Sequence, residues 1–150
     1  MKPELIIEKI NGYLEAFGIL NMACNRGSDY YFMPLPEKPQ LIDSLYEYFL
    51  SISDKYPAEH WNPELEIAGK DNLIKAIQKW FFEADFFKNL PEETASDAID
   101  GLLKLLTPFI TTAPIYKMNI TPPVWYACHW DDFVIDSKSG RFLLSFGCHD

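Results

Sequence analysis

Positive charge is scarce in this sequence. Its 150 residues include 13 lysines and arginines against 22 acidic residues, which gives a net charge of −9 at pH 7. Proteins that follow nucleic-acid phosphates or anionic membrane surfaces do so with clustered Lys and Arg side chains. We therefore expect no nucleic-acid and no membrane partner, whereas a basic protein is a partner that this charge suits.

Cysteine is also scarce, and long apolar runs are missing. Cys24, Cys128 and Cys148 are an odd set without C-x-x-C spacing, so we expect reduced thiols rather than a disulfide framework. The apolar region of an export signal is not interrupted by charge, whereas Glu4 lies among the first apolar residues of this sequence. No apolar stretch reaches the 18 or more residues that would span a bilayer. These absences predict a cytoplasmic protein.

The residues that are present suit one globular domain. The chain is 48% hydrophobic and 15% aromatic, far from the low hydrophobicity of disordered segments. Its length is that of a single unit, and its eleven prolines separate short segments without forming a linker. We expect a single compact domain over residues 1–150.

Four segments carry hydrophobic residues at helical spacing. They are residues 3–17, residues 39–56, residues from about 70 to 87, and a segment that begins at Pro91 and ends at Pro108. Residues 19–24 and 30–33 flank a turn-rich stretch, so they could form a hairpin, or the first run could extend the first helix.

The last third of the chain changes to the pattern of β-strands. Residues 115–120 form one candidate, and residues 124–136 and 141–148 flank a Gly-containing turn, which predicts a hairpin with Asp136 opposite Arg141. Helices followed by strands indicate an α+β fold. We expect about four helices and then a C-terminal antiparallel hairpin or small sheet, with the helices packed on one side of it.

Aromatic residues outside the strands need a place in this fold. Trp61 follows His60 in a proline-bounded loop, and we expect it to close the edge of the core rather than to bind a ligand. Phe82 and Phe86 point outward from the third helix, and we expect another layer to cover them, with an interface to a partner as the alternative.

Two Cys-His pairs, Cys128-His129 and Cys148-His149, are the strongest metal-like feature of the sequence. The predicted hairpin would place these zinc-type ligands on adjacent rungs. Alternation along a strand sends one Cys and one His to each side of the sheet, however, so a single tetrahedral site does not form. We therefore expect no metal and no cofactor.

Catalytic signals are equally weak. Cys148, His129 and Asp131 could in principle combine a nucleophile, a base and an orienting acid, but no nucleophile motif surrounds the cysteine. Neither of the glycine-rich phosphate-binding motifs, G-x-x-x-x-G-K-[ST] and G-x-G-x-x-G, occurs. We expect a protein that is not an enzyme.

Acidic residues are concentrated in one segment. Residues 41–68 hold six acidic residues and one basic residue, a net −5. On the second predicted helix, the carboxylates of Asp43, Glu47 and Asp54 lie within about 40° of one another, opposite the side that faces the core. Apolar residues in such a stripe supply buried area, and charges supply steering. We predict a surface for a basic partner, with a merely solvated helix face as the alternative; its residues are Asp43, Tyr46, Glu47, Leu50, Asp54, Glu59, Asp131 and Asp132.

The closing stretch carries a family resemblance. Trp130-Asp131-Asp132-Phe133-Val134-Ile135-Asp136 through Gly140-Arg141-Phe142-Leu143-Leu144-Ser145-Phe146-Gly147 resembles the endings of small bacterial immunity proteins, the antidotes encoded beside contact-dependent growth inhibition systems and other polymorphic toxins. The resemblance implies a cytoplasmic, non-catalytic toxin inhibitor that binds a toxin's C-terminal domain, often a basic nuclease, and blocks its active site.

Two other functions remain open on the residues alone. A small metal-dependent hydrolase could use His60, His129 and His149 with nearby carboxylates. An adaptor or structural domain of a phage or secretion assembly would need no chemistry at all. Stoichiometric zinc or manganese in the purified protein would favour the first of these over an inhibitor.

Overall fold

The computed structural model describes residues 2–22, 27–82 and 89–149. Within them the fold is α+β, with four α-helices, one short 3-10 helix (η1) and a five-stranded antiparallel sheet. The elements run in the order α1 (Pro3–Leu20), β1 (Gly27–Pro34), α2 (Leu41–Ile52), η1 (Ala58–Trp61), β2 (Glu64–Ile67), α3 (Gly69–Phe82), α4 (Glu92–Ile110), β3 (Ile115–Asn119), β4 (His129–Ser137) and β5 (Gly140–His149).

All four predicted helices are present, with different ends. Helix α1 runs on to Leu20, so the segment after residue 18 extends the helix, and the alternative hairpin with residues 30–33 is wrong. Residues 83–87 of the third predicted helix lie outside the described residues, as does Cys24. Among the described residues, no helix combines the length and the apolar character needed to cross a bilayer.

Helix α4 does not end at Pro108, as predicted, but continues to Ile110. Proline removes one backbone donor and crowds the preceding turn. Phe109 and Ile110 are buried in the core, and this burial offsets the cost of the proline. The N–H of Thr111 still donates to the carbonyl of Thr107 at 3.2 Å, so the last turn stays helical.

The sheet has the strand order β1-β5-β4-β3-β2. The predicted hairpin between β4 and β5 is confirmed, with Asp136 opposite Arg141. Gly140 closes its turn at a φ of +151°, a conformation that glycine adopts without strain. Strand β4 begins at His129 rather than at residue 124.

The strands are not confined to the C-terminal part, contrary to prediction. Strand β1 lies between α1 and α2 and pairs with β5. Strand β2 lies between η1 and α3 and pairs with β3, where Leu65 is opposite Met118. Strand β2 was not predicted from the sequence because four residues are too few to show alternation of apolar and polar side chains. Its partner β3 also lies about 50 residues later in the sequence.

Helices cover both sides of the sheet, so the expectation of helices on one side is wrong. On one side, here called the three-helix side, α1, α3 and α4 pack against alternate residues of the strands, among them Phe133 and Leu144. On the other, here called the α2 side, α2 and η1 pack against Val134 and Leu143. Consecutive buried residues in a strand require cover on both sides.

The two aromatic expectations hold where they can be followed. Trp61 is fully buried on the α2 side, and its ring stacks on that of Phe49 with centroids 4.8 Å apart. Phe82 is half-buried and meets the ring of Phe17 edge-on at 5.6 Å, so another layer covers it. Phe86 lies outside the described residues.

Candidate functional site: an acidic surface on the α2 side

Helix α2 presents acidic and apolar side chains to solvent. It buries Ser44, Leu45, Tyr48 and Phe49 against the sheet. Its opposite side, half a helical turn away, carries Asp43 and Glu47, both exposed, and Leu50, which is 43% exposed. The sequence placed these three residues together correctly.

The predicted stripe does not continue along a helix to Asp54. Helix α2 ends at Ile52 because Ser53 has an extended backbone, with φ −158° and ψ 128°. Ile52 and Tyr56, at the end of the predicted helix 39–56, are 38% and 40% exposed. Asp54 is therefore an exposed loop carboxylate beside the helix rather than the next residue of its stripe.

Two further predicted residues lie on the same side of the sheet. Glu59 is exposed on η1, which the Phe49–Trp61 stack fixes against α2. Tyr46 is half-buried and packs against the core on this side, so it borders the exposed stripe as predicted. We call these two residues, together with Asp43, Glu47, Leu50 and Asp54, the acidic surface.

Among the described residues, the acidic surface takes part in one ion pair. Lys38 lies 3.4 Å from the carboxylate of Glu47, and both side chains are about half exposed. A pair this exposed contributes little to stability. Asp43, Asp54 and Glu59 have no ion pair among the described residues, so their charges remain available to a partner.

An exposed tryptophan on the same side was missed from the sequence. Trp125 is 69% exposed, while its neighbours Val124 and Tyr126 pack into the α2-side core. The sequence predicts one strand over residues 124–136, whereas in the structure a loop runs on to Cys128 and the strand begins at His129. Pro122 and Pro123, directly before it, were the signal for a loop. Exposed tryptophans are common anchors in protein interfaces.

Asp131 does not belong to the acidic surface. It faces the three-helix side, where it accepts hydrogen bonds from the Trp80 indole N–H at 2.7 Å and from Lys79 at 3.1 Å. Lys117 lies 2.9 Å from its other oxygen. Partial burial works against the charge, but the bonds from Lys117 and Trp80 outweigh it, and the pKa of Asp131 lies below its usual range.

Asp132 is fully buried on the α2 side, so its predicted role at a partner surface is wrong. Ser145 donates to its Oδ1 at 2.6 Å, and Tyr126 donates to its Oδ2 at 2.8 Å. Burial raises the pKa of Asp132 to about 6, although these two bonds favour its charge. Its burial follows from the α2 layer, which the sequence did not indicate.

The hydroxyl of Tyr126 continues this network. Tyr48 lies between Tyr126 and Tyr31, with oxygen–oxygen distances of 3.5 Å and 2.9 Å. Burial raises the pKa of both Tyr48 and Tyr126 above the usual value for a phenol. The network thus consists of neutral hydroxyls around one buried carboxyl.

The Cys-His pairs lie at the end of the hairpin, as the register predicted. His129 is opposite Cys148, and the N–H of Cys128 donates to the carbonyl of Cys148 at 2.9 Å. In residues 2–22, 27–82 and 89–149, no group of three or more His, Cys, Asp and Glu side chains is placed to hold a metal ion. Asp131, engaged by Trp80 and the lysines, does not orient His129.

Comparisons with known proteins bear on the fold. No protein-family model matches the chain, and no curated protein matches it. The crystal structure of citrus MAF1 is similar, with a TM-score of 0.54 and 13% sequence identity, over 96% of this chain and 98% of that one. At this level of identity the likeness concerns the fold alone.

Proposed function

We propose that this protein is a non-catalytic immunity protein, which binds a basic toxin domain, such as a nuclease domain, and blocks it by steric and electrostatic occlusion. The observation that carries the proposal is the acidic surface. There, Asp43 and Glu47 lie on the same exposed side of α2 as Leu50, which is 43% exposed, and Asp54 is exposed in the loop that follows the helix. The resemblance of the C-terminal stretch to immunity proteins supports the same function.

The chemistry of such an inhibitor follows from these side chains. The positive charge of a nuclease site attracts the phosphates of its substrate, and the carboxylates of an inhibitor can bind in the place of those phosphates. The net charge of −9 would speed the encounter with a basic domain. Leu50 and Trp125 add apolar area that a docked partner could bury, which charge alone does not provide.

The acidic surface is also preformed. Leu45 and Phe49 of α2 are fully buried, and Trp61 stacks on Phe49, so α2 and η1 have fixed positions. Binding to a rigid surface avoids the entropy cost of ordering it. This rigidity favours tight inhibition over loose electrostatic attraction.

The test begins with a pull-down from the source cell, followed by mass spectrometry to identify the bound protein. Its affinity is then measured by calorimetry at low and high salt for the protein and for the variant Asp43→Lys, Glu47→Lys, Asp54→Lys. We expect at least about a tenfold loss of affinity at low salt, mostly through slower association. The thermal midpoint should hardly change, since exposed substitutions cost about 0.5 kcal/mol or less.

A matched control reverses Glu93, Asp97 and Asp100 on the exposed side of α4. It makes a similar change in net charge at a different surface, and affinity should change much less. If the triple variant binds as tightly as the unchanged protein at low salt, the acidic surface is only a solvated helix face.

A further inference from the structure

The sheet has two edges, and helix α1 closes the first of them. The Asn11 side-chain N–H donates to the carbonyl of Phe32 at 2.8 Å, and the N–H of Phe32 donates to Asn11 Oδ1 at 2.7 Å. The carboxamide of Asn11 thus makes both hydrogen bonds that a neighbouring strand would make. Two places further along β1, Pro34 has no N–H to offer.

Strand β2, the second edge, is open. The N–H of Ala68 donates to the carbonyl of Ile115 at 2.9 Å, which fixes the direction of the backbone groups along the strand. Because this direction alternates in an antiparallel pair, the N–H and C=O of Leu65 and Ile67 point away from β3. Within the part of the chain that the structure describes, no backbone partner is found for these groups.

The side chains of β2 separate by chemistry. Glu64 and Glu66 lie on one side of the sheet, both exposed and without an ion pair among the described residues. Leu65 and Ile67 lie on the other, and Ile67 is 82% exposed. A cleft of about 280 Å³ lies between α3 and the sheet beside Glu66, and its lining includes Lys117 of β3, the residue opposite Glu66.

We propose that β2 accepts an extended basic segment of a partner protein as a sixth strand of the sheet. Backbone hydrogen bonds to Leu65 and Ile67 would give affinity, and alternate side chains would give specificity. The segment that fits has Lys or Arg beside Glu64 and Glu66, alternating with apolar residues beside Leu65 and Ile67. This deepens the proposed function, since it rests on a basic partner and names the segment by which that partner docks.

A second copy of this chain fits the same edge poorly. When two β2 strands pair about a two-fold axis, the glutamates of both copies lie on the same side of the combined sheet. With Leu65 opposite Leu65, Glu64 lies opposite Glu66 of the other copy, and with Leu65 opposite Ile67, two Glu66 side chains meet. Like charges directly opposite one another destabilise a strand pair, so both of these registers oppose self-pairing, whereas a basic strand is favoured.

The test uses a synthetic peptide of alternating Lys and Val with the full-length protein. Amide hydrogen exchange, followed by NMR, should slow at least about tenfold at Leu65 and Ile67 when the peptide binds. The amide of Glu66 already faces β3 and should change little. Two control peptides have the same length: one alternates Glu and Val, and the other is the Lys–Val peptide with its backbone N-methylated.

Protein variants separate the charge from the strand. Glu64→Gln with Glu66→Gln should weaken binding of the Lys–Val peptide several-fold without disturbing the pairing of β2 with β3. Glu64→Lys with Glu66→Lys should abolish it and admit the Glu–Val peptide. The matched variant Asp97→Lys with Asp100→Lys, on the exposed side of α4, should bind the Lys–Val peptide nearly as the unchanged protein does.

Three results would overturn the proposal. They are equal binding of the N-methylated peptide, protection at Leu65 and Ile67 that rises with protein concentration alone, and capture of a basic toxin that leaves both amides unprotected. The last result would leave the proposed function standing. Addition of the Lys–Val peptide to β2, in a protein whose cellular partner is not a basic toxin, would instead support the docking edge and contradict the immunity function.

Discussion

The two sides of the sheet are covered in contrasting ways. The three-helix side is packed with aromatic rings, and the rings of Phe17 and Phe81 lie 3.9 Å apart and within 4° of parallel. The α2 side has a smaller layer and encloses a buried carboxyl, Asp132, in a network of hydroxyls. Apolar packing is therefore concentrated on the three-helix side, whereas the α2 side combines buried polar groups with an exposed acidic helix.

Two adjacent residues of β4 show this contrast on the smallest scale. Asp131 faces the three-helix side near its rim, where lysines and an indole N–H hold its pKa low. Asp132 faces the α2 side, where burial raises its pKa to about 6. Alternation along one strand therefore gives the same side chain opposite titration behaviour.

The largest expected effect comes from truncating one aromatic residue on each side. Phe81 contacts the rings of Phe17, Tyr30 and others, and Phe81→Ala should cost about 5 kcal/mol of the free energy of unfolding, at the upper end for such substitutions. Phe49→Ala on the α2 side should cost nearer 3 kcal/mol, because a thinner layer can collapse into the space. Urea denaturation measures both, and an equal or larger loss at Phe49 would break the comparison.

The next largest effect concerns pH. The folded pKa of Asp132, about 6, exceeds the ordinary 3.8, so stability falls as the pH rises from about 4 through 6. Asp132→Asn resembles the protonated side chain and should remove this fall, which amounts to about 2 kcal/mol between pH 4 and pH 7. The opposite sign is expected at Asp131, whose contribution is lost as the pH falls below about 4. Urea denaturation of Asp132→Asn and Asp131→Asn across this range distinguishes the two.

A smaller effect sharpens the comparison at the level of one hydrogen bond. Tyr126→Phe removes the hydroxyl that donates to buried Asp132 and should cost about 2 kcal/mol at pH 7. Lys79→Met removes one partner of Asp131 but leaves Trp80 and Lys117 in place, so its cost should stay below about 1 kcal/mol. Thermal denaturation of both variants at pH 7 measures the two losses of stability. Equal losses would contradict the contrast between the two sides of the sheet.

Local patterns in the sequence predicted the local parts of the fold. Helical spacing predicted the helices, and the turn ending at Gly140 predicted the register that places Asp136 opposite Arg141. That register also places Asp132 opposite Ser145, so one hydrogen bond of the buried carboxyl was foreseeable. The burial itself was not, because it depends on α2, which lies far away in the sequence.

The acidic surface was predicted in part for the same reason. Asp43, Glu47 and Leu50 follow from the periodicity of one helix. Asp54 was misplaced because its position depends on where the helix ends, and Ser53 gives no strong stop signal. The open edge at β2 escaped prediction altogether, since an edge is a property of strand order, and strand order arises from contacts between distant segments.

The carboxamide of Asn11 limits how many molecules can join through their sheets. An endless stack of sheets requires every molecule to offer two free edges, as amyloid fibrils do. With Phe32 of β1 already bonded to Asn11, a strand that joins β2 ends the growth. We therefore expect a complex formed through β2 to have a fixed size rather than to grow into fibres through the native sheet.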